Sequence, residues 1–357
     1  MRGAERNIAL YPWFRFFQSL LFWQAIWFLY FQQTLSAAEA ILLYAIYDLA
    51  TTILEVPSGW VSDKFGRRVT LISSAVAAVL GALALAFGDT FATFAFGQIC
   101  LGASAAFTSG TDTAFLYESL EDADQTERVE AEELRAWRFG FTGFAVSAFA
   151  GGAMSLAGFT YPFLASAVAQ GGMLLIALSF VEPEGRCDDI GMGGEWTRVA
   201  SLRTALLNPV LMWLFALSVL MYGYSHIPFV FGQPFIQEAL SDWSLAAQAP
   251  VVSGAVTTVM MLVSVAVSLI APAIRRRLGL AGVLLLAFGM QIGIAAVLAA
   301  TKSVAAIAVL FLRMVPSSLS APFILARIQP ELSDDSRATY LSLKSLTGRV
   351  LFAASLW

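Results

Sequence analysis

Apolar residues in this chain do not alternate with polar ones but run in long blocks separated by short polar connections. The blocks lie at about 11–33, 41–62, 69–88, 91–117, 136–155, 158–181, 206–235, 247–273, 279–300 and 304–327, and another opens near 338 and reaches Trp357. Each is close to the length of about 20 residues that a helix needs to cross the hydrocarbon of a bilayer. Barrel strands would alternate every second residue, and lipid cannot satisfy the backbone of an open sheet. The pattern therefore predicts an all-α integral membrane protein with about ten complete transmembrane helices plus a partial eleventh.

Composition agrees with that pattern. Hydrophobic residues make up 58% of the 357 positions and charged residues 13%, against roughly 25% charged in soluble domains; mean hydropathy is +0.73. The first block follows Arg2 and Arg6, contains Trp13, Trp23 and Trp27, and lacks a small-residue cleavage site, so it reads as a retained span rather than a removed signal peptide. Basic residues fall on alternate connections: Arg2, Arg6, Lys64, Arg67, Arg68, Arg128, Arg135, Arg186, Arg198, Arg203, Arg275, Arg276, Arg277 and Arg337 share one side, and Lys302 alone occupies the other. The positive-inside rule then puts the N-terminus and the loop containing Asp63 in the cytoplasm. Arginine outnumbers lysine and alanine is abundant, which suggests a high-GC bacterial gene and an inner-membrane location. The net charge of −4 arises from acidic residues grouped at 118–133 and 182–195, read as solvated cytoplasmic faces. Cys100 in a span and Cys187 in a loop offer neither a disulfide nor metal-ligand spacing, and no nucleotide-binding glycine loop is present.

The longest polar interruption, 182–205, contains Gly191, Gly193 and Gly194 and follows the sixth block. It divides a six-helix bundle at 1–181 from an incomplete bundle at 206–357. Transporters are often built from repeats, and Pro272-Ala273-Ile274-Arg275-Arg276-Arg277-Leu278-Gly279 can be laid over the segment from Gly59 to Gly66, matching Gly279 to Gly66 and placing Arg276 opposite Asp63.

The connection after the second block reads Gly59-Trp60-Val61-Ser62-Asp63-Lys64-Phe65-Gly66-Arg67-Arg68. Gly59, Asp63, Lys64, Gly66, Arg67 and Arg68 resemble the signature of the major facilitator superfamily between its second and third spans. Glu55-Val56-Pro57-Ser58-Gly59 is similar to a Glu-x-Pro-Ser/Thr-Gly approach found in one branch of that superfamily. Ser109-Gly110-Thr111-Asp112-Thr113-Ala114, Tyr117-Glu118-Ser119-Leu120 and Arg337-Ala338-Thr339 are similar to the same branch. The resemblance covers essentially the whole chain and implies a two-bundle helical transporter. It departs from the superfamily where Gln98 replaces a basic residue of the fourth span, where Arg313 stands in the tenth, and where the fifth span keeps Gly143, Ser147, Ala148, Gly151 and Gly152 without the antiporter proline. Twelve spans are implied, so the chain is expected to be C-terminally truncated.

Asp48 and Glu55 are two turns apart on one helix face, which Gly59 and Asp63 continue. Ionisable groups at membrane depth cost roughly 2.5–3.5 kcal/mol on insertion scales and mark pathways or proton relays. Asp48 and Glu55 are accordingly candidates for proton coupling, with a structural role for Glu55 beside Pro57 left open. Arg313 and the single histidine, His226, join them as coupling or substrate candidates. The resemblance implies a cytoplasmic gate in which Asp63 engages the eleventh helix and Arg67 pairs with Asp112 or Glu118. Lys344 and Arg349 face either a cavity or the lipid boundary. The function expected is secondary active transport by alternating access: proton-coupled efflux of a drug-like or amphipathic metabolite by a monomer in the lipid bilayer. A metabolite importer or facilitator and a non-transporting membrane sensor are the alternatives. No cofactor, metal, nucleic acid or enzymatic activity is expected.

Overall fold

The structure, a computed structural model, describes residues 3–183, 202–241, 249–301, 307–332 and 337–355. Every regular element among them is helical: α1 (Gly3–Gln18), α2 (Trp27–Phe31), α3 (Ala37–Phe65), α4 (Arg67–Phe87), α5 (Phe91–Thr108), α6 (Thr111–Glu121), α7 (Val129–Ser155), α8 (Thr160–Ser179), α9 (Pro209–Ser241), α10 (Ala249–Ala300), α11 (Ile307–Leu310), α12 (Val315–Ile328) and α13 (Arg337–Ser355). Short 3₁₀ turns at Phe22–Ala25, Thr126–Arg128 and Gln329–Glu331 complete the set. Cys187, Lys302 and most of the 182–205 linker lie outside the described residues.

Among the described residues, seven stretches are long and apolar enough to cross a membrane: Ala38–Phe65, Arg67–Phe87, Phe91–Glu121, Thr160–Ser179, Pro209–Ile227, Gly254–Ala300 and Ile307–Glu331. The difference from ten has local causes. The first apolar block is broken by the 3₁₀ turn between α1 and α2, and α7 opens on Glu130, Glu132, Glu133 and Arg135. Two predicted spans meet within α10 at a kink, where Gly279 is non-helical (φ 71°, ψ 174°), and so count as one stretch. Gly66, between α3 and α4, has φ 102° and ψ 157°. Both glycines occupy a backbone region that is essentially closed to other residues, so the positions aligned in sequence bend the chain in the same way.

Helix ends follow from local chemistry. Ser36 Oγ accepts from the Glu39 amide at 3.3 Å while Glu39 Oε2 accepts from the Ser36 amide at 2.8 Å, a capping box that starts α3. Gly110, with φ 75°, separates α5 from α6 and puts Asp112 into the first turn of a new helix.

Small and hydroxylated residues bring helices close where lipid supplies no hydrophobic drive. Ser58 Oγ donates to the Ala106 carbonyl oxygen at 2.7 Å, joining α3 to α5, and Ser74 Oγ donates to the Ser104 carbonyl oxygen at 2.8 Å, joining α4 to α5. At Gly102 an added Cβ would meet the Tyr47 carbonyl oxygen at 2.7 Å. The N-terminal half has a core around Tyr11, Phe14, Phe115 and Phe180, and the C-terminal half one around Leu214, Val283, Phe323 and Tyr340. The halves meet where Phe141 and Ala145 of α7 pack on Met260 and Met261 of α10. Leu80, Phe87, Phe149, Val168, Leu175, Leu220, Leu269 and Leu285 project outward and exposed, as a surface solvated by acyl chains requires.

Candidate functional site

At the end of the molecule that carries the Gly59–Arg68 segment, Asp63 closes α3 and its Oδ2 accepts from the Thr339 backbone N–H at 3.0 Å and from the Thr339 hydroxyl. Thr339 lies in the first turn of α13, where backbone N–H groups have no partner within the helix. The carboxylate of one half thus caps a helix of the other. Asp63 Oδ1 also lies 2.5 Å from Arg67 Nη1.

Arg67 organises the rest of this clasp. Its Nη2 donates to Glu118 Oε1 at 2.7 Å, its Nε lies 3.1 Å from both Glu118 oxygens, and its Nη1 donates to Ser62 Oγ at 3.0 Å. Arg337 of α13 donates to the same Glu118 Oε1 at 3.1 Å and to the Leu332 carbonyl oxygen at 3.0 Å, with its guanidinium 4.3 Å from the centre of the Tyr117 ring. Arg67 is fully buried, and Asp63, Glu118 and Arg337 are nearly so. Two carboxylates and two guanidiniums therefore balance one another out of water, the condition under which buried charges are tolerated.

Glu182 adds a second layer. Its Oε1 accepts from the Arg67 amide at 2.6 Å and its Oε2 from the Arg68 amide at 2.8 Å, which caps the N-terminus of α4. A Cβ on Gly66 would sit 2.6 Å from Glu182 Oε1, the movable end of a side chain, so it is φ that requires glycine there and Glu182 that would give way. The expectation that 118–133 and 182–195 form solvated faces fails at four positions. Glu118 and Glu182 bond inward, and Glu132 and Glu133 are only 4% and 2% exposed. A carboxylate near a helix start or an arginine is withdrawn from water by its partner, which a run of acidic letters does not reveal.

Asp112 does not meet Arg67. It pairs with Arg15 of α1, which also donates to Gln18 Oε1 at 2.9 Å, and it accepts from the Thr113 amide at 2.8 Å. Gly59 is buried within α3, Lys64 lies 4.4 Å above the Trp60 ring outside the clasp, and Arg68 donates to the Leu178 carbonyl oxygen at 3.1 Å. Opposite the clasp, Arg276, which aligns with Asp63, is exposed, while Arg275 Nε lies 3.0 Å from Glu130 Oε2 in the first turn of α7. Each half therefore presses its bent loop on the start of a helix of the other half, with the charges reversed.

Further along the interface, Arg349 of α13 reaches both carboxylates of α3. Its Nη1 donates to Asp48 Oδ1 at 3.4 Å and its Nε lies 3.8 Å from Glu55 Oε2. Glu55 is fully buried and the Asp48 side chain half exposed. The Arg349 guanidinium stands 5.9 Å from the centre of the Tyr222 ring, which stacks on His226 at 3.8 Å. His226 Nδ1 donates to the Tyr222 carbonyl oxygen at 2.9 Å, a local packing bond. Arg313 occupies the turn between α11 and α12, within electrostatic reach of His226.

Between the halves lies a cavity of about 490 Å³. Arg15 and Gln18 of α1, Asp112 and Thr113 of α6, Glu133 and Trp137 of α7, Ser218, Tyr222 and Ser225 of α9, Gln291 of α10, Ser317 and Ser320 of α12, and Lys344 and Ser345 of α13 line it. Ala105, Met221, Ala321, Ile324, Leu325 and Leu341 share the wall with these hydroxyl, amide and charged groups, and most of its surface is apolar. Tyr222 is shared: one face belongs to the cavity, and its ring supports the Arg349 cluster.

This arrangement of two helical halves around a cavity, closed at one end by the signature loop, accompanies a family match, Major Facilitator Superfamily, over residues 9–355. The chain belongs to that superfamily. Among solved superfamily-like structures, a bacterial homologue of the iron transporter ferroportin in an outward-facing state is similar with a TM-score of 0.72 at 16% identity, covering 100% of this chain and 92% of that one. The E. coli fucose:proton symporter gives 0.71 at 15% identity, covering 99% and 91%. The human organic anion transporter MFSD10 (TETRAN) gives 0.68 at 14% identity, covering 99% and 92%. At these identities the likeness shows the fold. No curated protein matches the chain. As a superfamily member with such neighbours, the protein is a membrane-spanning transporter and not an enzyme.

Sequence reasoning missed Arg15, Gln18, Glu133 and Glu182. Arg15 carried a usable signal, a lone arginine inside an apolar block, where a functional role is the default. Glu133 carried none, because nothing in its run of acids separates it from Glu132, which pairs with Arg128 and Arg135 instead of facing the cavity.

Proposed function

We propose that this superfamily member is a proton-coupled secondary transporter of a small molecule that carries a polar or charged end, working by alternating access in a bacterial inner membrane. In this reading its basic end is cytoplasmic, and the chain supplies ten complete spans and part of an eleventh. The observation that carries the reading is Arg349 of one half held between Asp48 and Glu55 of the other. A proton arriving on either carboxylate removes the charge that holds Arg349, weakening a contact that must break for the halves to part. Tyr222 links that contact to the cavity wall, so occupancy of the cavity bears on the same joint. With the clasp at Asp63, Arg67, Glu118 and Arg337 made, the structure corresponds to a state closed toward the cytoplasm. The wall sets apolar surface beside hydroxyl, amide and charged groups, which supports a cargo with an apolar body and a polar or charged end, because a wholly apolar ligand would strip water from these groups without replacing its hydrogen bonds.

The test is proton movement in proteoliposomes loaded with pyranine, challenged in turn with pooled sugars, nucleosides, organic acids, amino acids and quaternary ammonium compounds. At least one pool is expected to drive proton flux, and Asp48→Asn and Glu55→Gln are expected to uncouple it while substrate exchange persists. Proton flux from no pool, or unchanged coupling in both variants, would sink the proposal. The sidedness of the response reads the direction of transport.

A further inference from the structure

The cavity contains four charges, and only two of them are used. Arg15 and Asp112 satisfy each other, with Gln18 and the Thr113 amide taking further valences. Glu133 and Lys344 line the same cavity and make no hydrogen bond among the described residues. Glu133 is only 2% exposed, so water outside the protein does not solvate it. It belongs to α7 of the N-terminal half, where Arg15 is also an opposing charge, and Lys344 to α13 of the C-terminal half, for which Glu133 is the opposing charge across the cavity.

A buried charge without hydrogen bonds is tolerated only when something else compensates it. A ligand of one sign would satisfy one of these groups and leave the other facing nothing. An anion would also meet Asp112 and Glu133, and a cation would also meet Arg15 and Lys344. A molecule that carries both charges meets neither objection. Trp137, one turn beyond Glu133, places an indole in the same wall, and an aromatic face beside a carboxylate suits an ammonium group. A volume of about 490 Å³ is enough for a small molecule.

We propose that the cavity binds a small zwitterion of the amino-acid or betaine type, its ammonium at Glu133 and Trp137 and its carboxylate at Lys344. The ligand then bridges the halves through one residue of each, so both charged ends are needed to draw them together. This rests on the transporter reading above, but binding can be measured without flux, so the two can fail separately.

The experiment is a thermal-shift titration of the full chain in lipid nanodiscs with three matched pools. One contains the common amino acids with glycine betaine, one the corresponding decarboxylated amines, and one the corresponding deaminated carboxylic acids. The zwitterion pool is expected to stabilise the wild-type protein at concentrations at least tenfold below either single-charge pool. Lys344→Gln should raise the half-saturating zwitterion concentration about tenfold or more and leave the amine response unchanged. Glu133→Gln should do the same while leaving the carboxylic acid response unchanged. Lys344→Arg should restore zwitterion binding, and the pool comparison on the wild type decides the matter if a variant does not fold. Equal response to amines or to carboxylic acids, or no response to any pool, would overturn the proposal. Proton flux driven by sugars alone would leave the transporter reading standing and remove this one.

Discussion

At Gly66 the backbone sits at φ 102° and ψ 157° with the Glu182 carboxylate against its Cα. Gly66→Ala is expected to cost about 1–3 kcal/mol from backbone strain alone, read as a lower melting temperature in detergent, and to displace Glu182 from α4. Arg67 is a more severe case because it balances Asp63 and Glu118 out of water. Arg67→Ala leaves buried carboxylates uncompensated, a change that typically costs about 3–5 kcal/mol. Arg67→Ala combined with Glu118→Ala should recover part of that loss, and a strictly additive double mutant in the same melting assay would show that the two residues are not coupled. The partner choices at this scale were not legible in sequence. Asp112 and Glu118 are both acids near the end of the fourth span, and only the break at Gly110 turns Asp112 toward Arg15 and leaves Glu118 for Arg67.

Among the helices, α13 carries most of the polar contacts between the halves, while α7 packs on α10 and α12. Its first turn receives Asp63, its Arg337 meets Glu118, Ser342 Oγ donates to the Ser109 carbonyl oxygen at 3.1 Å, and Arg349 reaches Asp48 and Glu55. If these contacts form and break during transport, a covalent link must arrest it. In a background with Cys100 and Cys187 replaced, Ser109→Cys with Ser342→Cys is expected to abolish flux when oxidised and restore it on reduction. Full activity of the cross-linked protein would mean that α13 does not separate from the α5–α6 junction. Hydropathy located most of these helices because long apolar blocks are written directly in the chain. It could not foresee that α1 and α2 are interrupted by a 3₁₀ turn, which depends on backbone geometry rather than on apolar content, whereas the division it set at 273–279 meets the kink at Gly279.

At the scale of the whole molecule, the two bends at Gly66 and Gly279 and the crossed contacts, Asp63 to Thr339 and Arg275 to Glu130, make the halves similar in plan and opposite in charge at their loops. The plan was readable from the aligned glycines and the signature loop. The cavity was not, because its wall is assembled from one to a few residues on each of eight helices. The central claim is that the halves part at the basic end when the charge between Asp48, Glu55 and Arg349 is lost. Spin labels at the exposed positions Val69 and Leu278, one on each half beside the two bends, report that separation by pulsed dipolar spectroscopy. A longer distance should gain population in wild-type protein as pH falls, and should dominate in Asp48→Asn/Glu55→Gln at neutral pH. One distance distribution, identical in wild type and variant and insensitive to pH, would contradict the account.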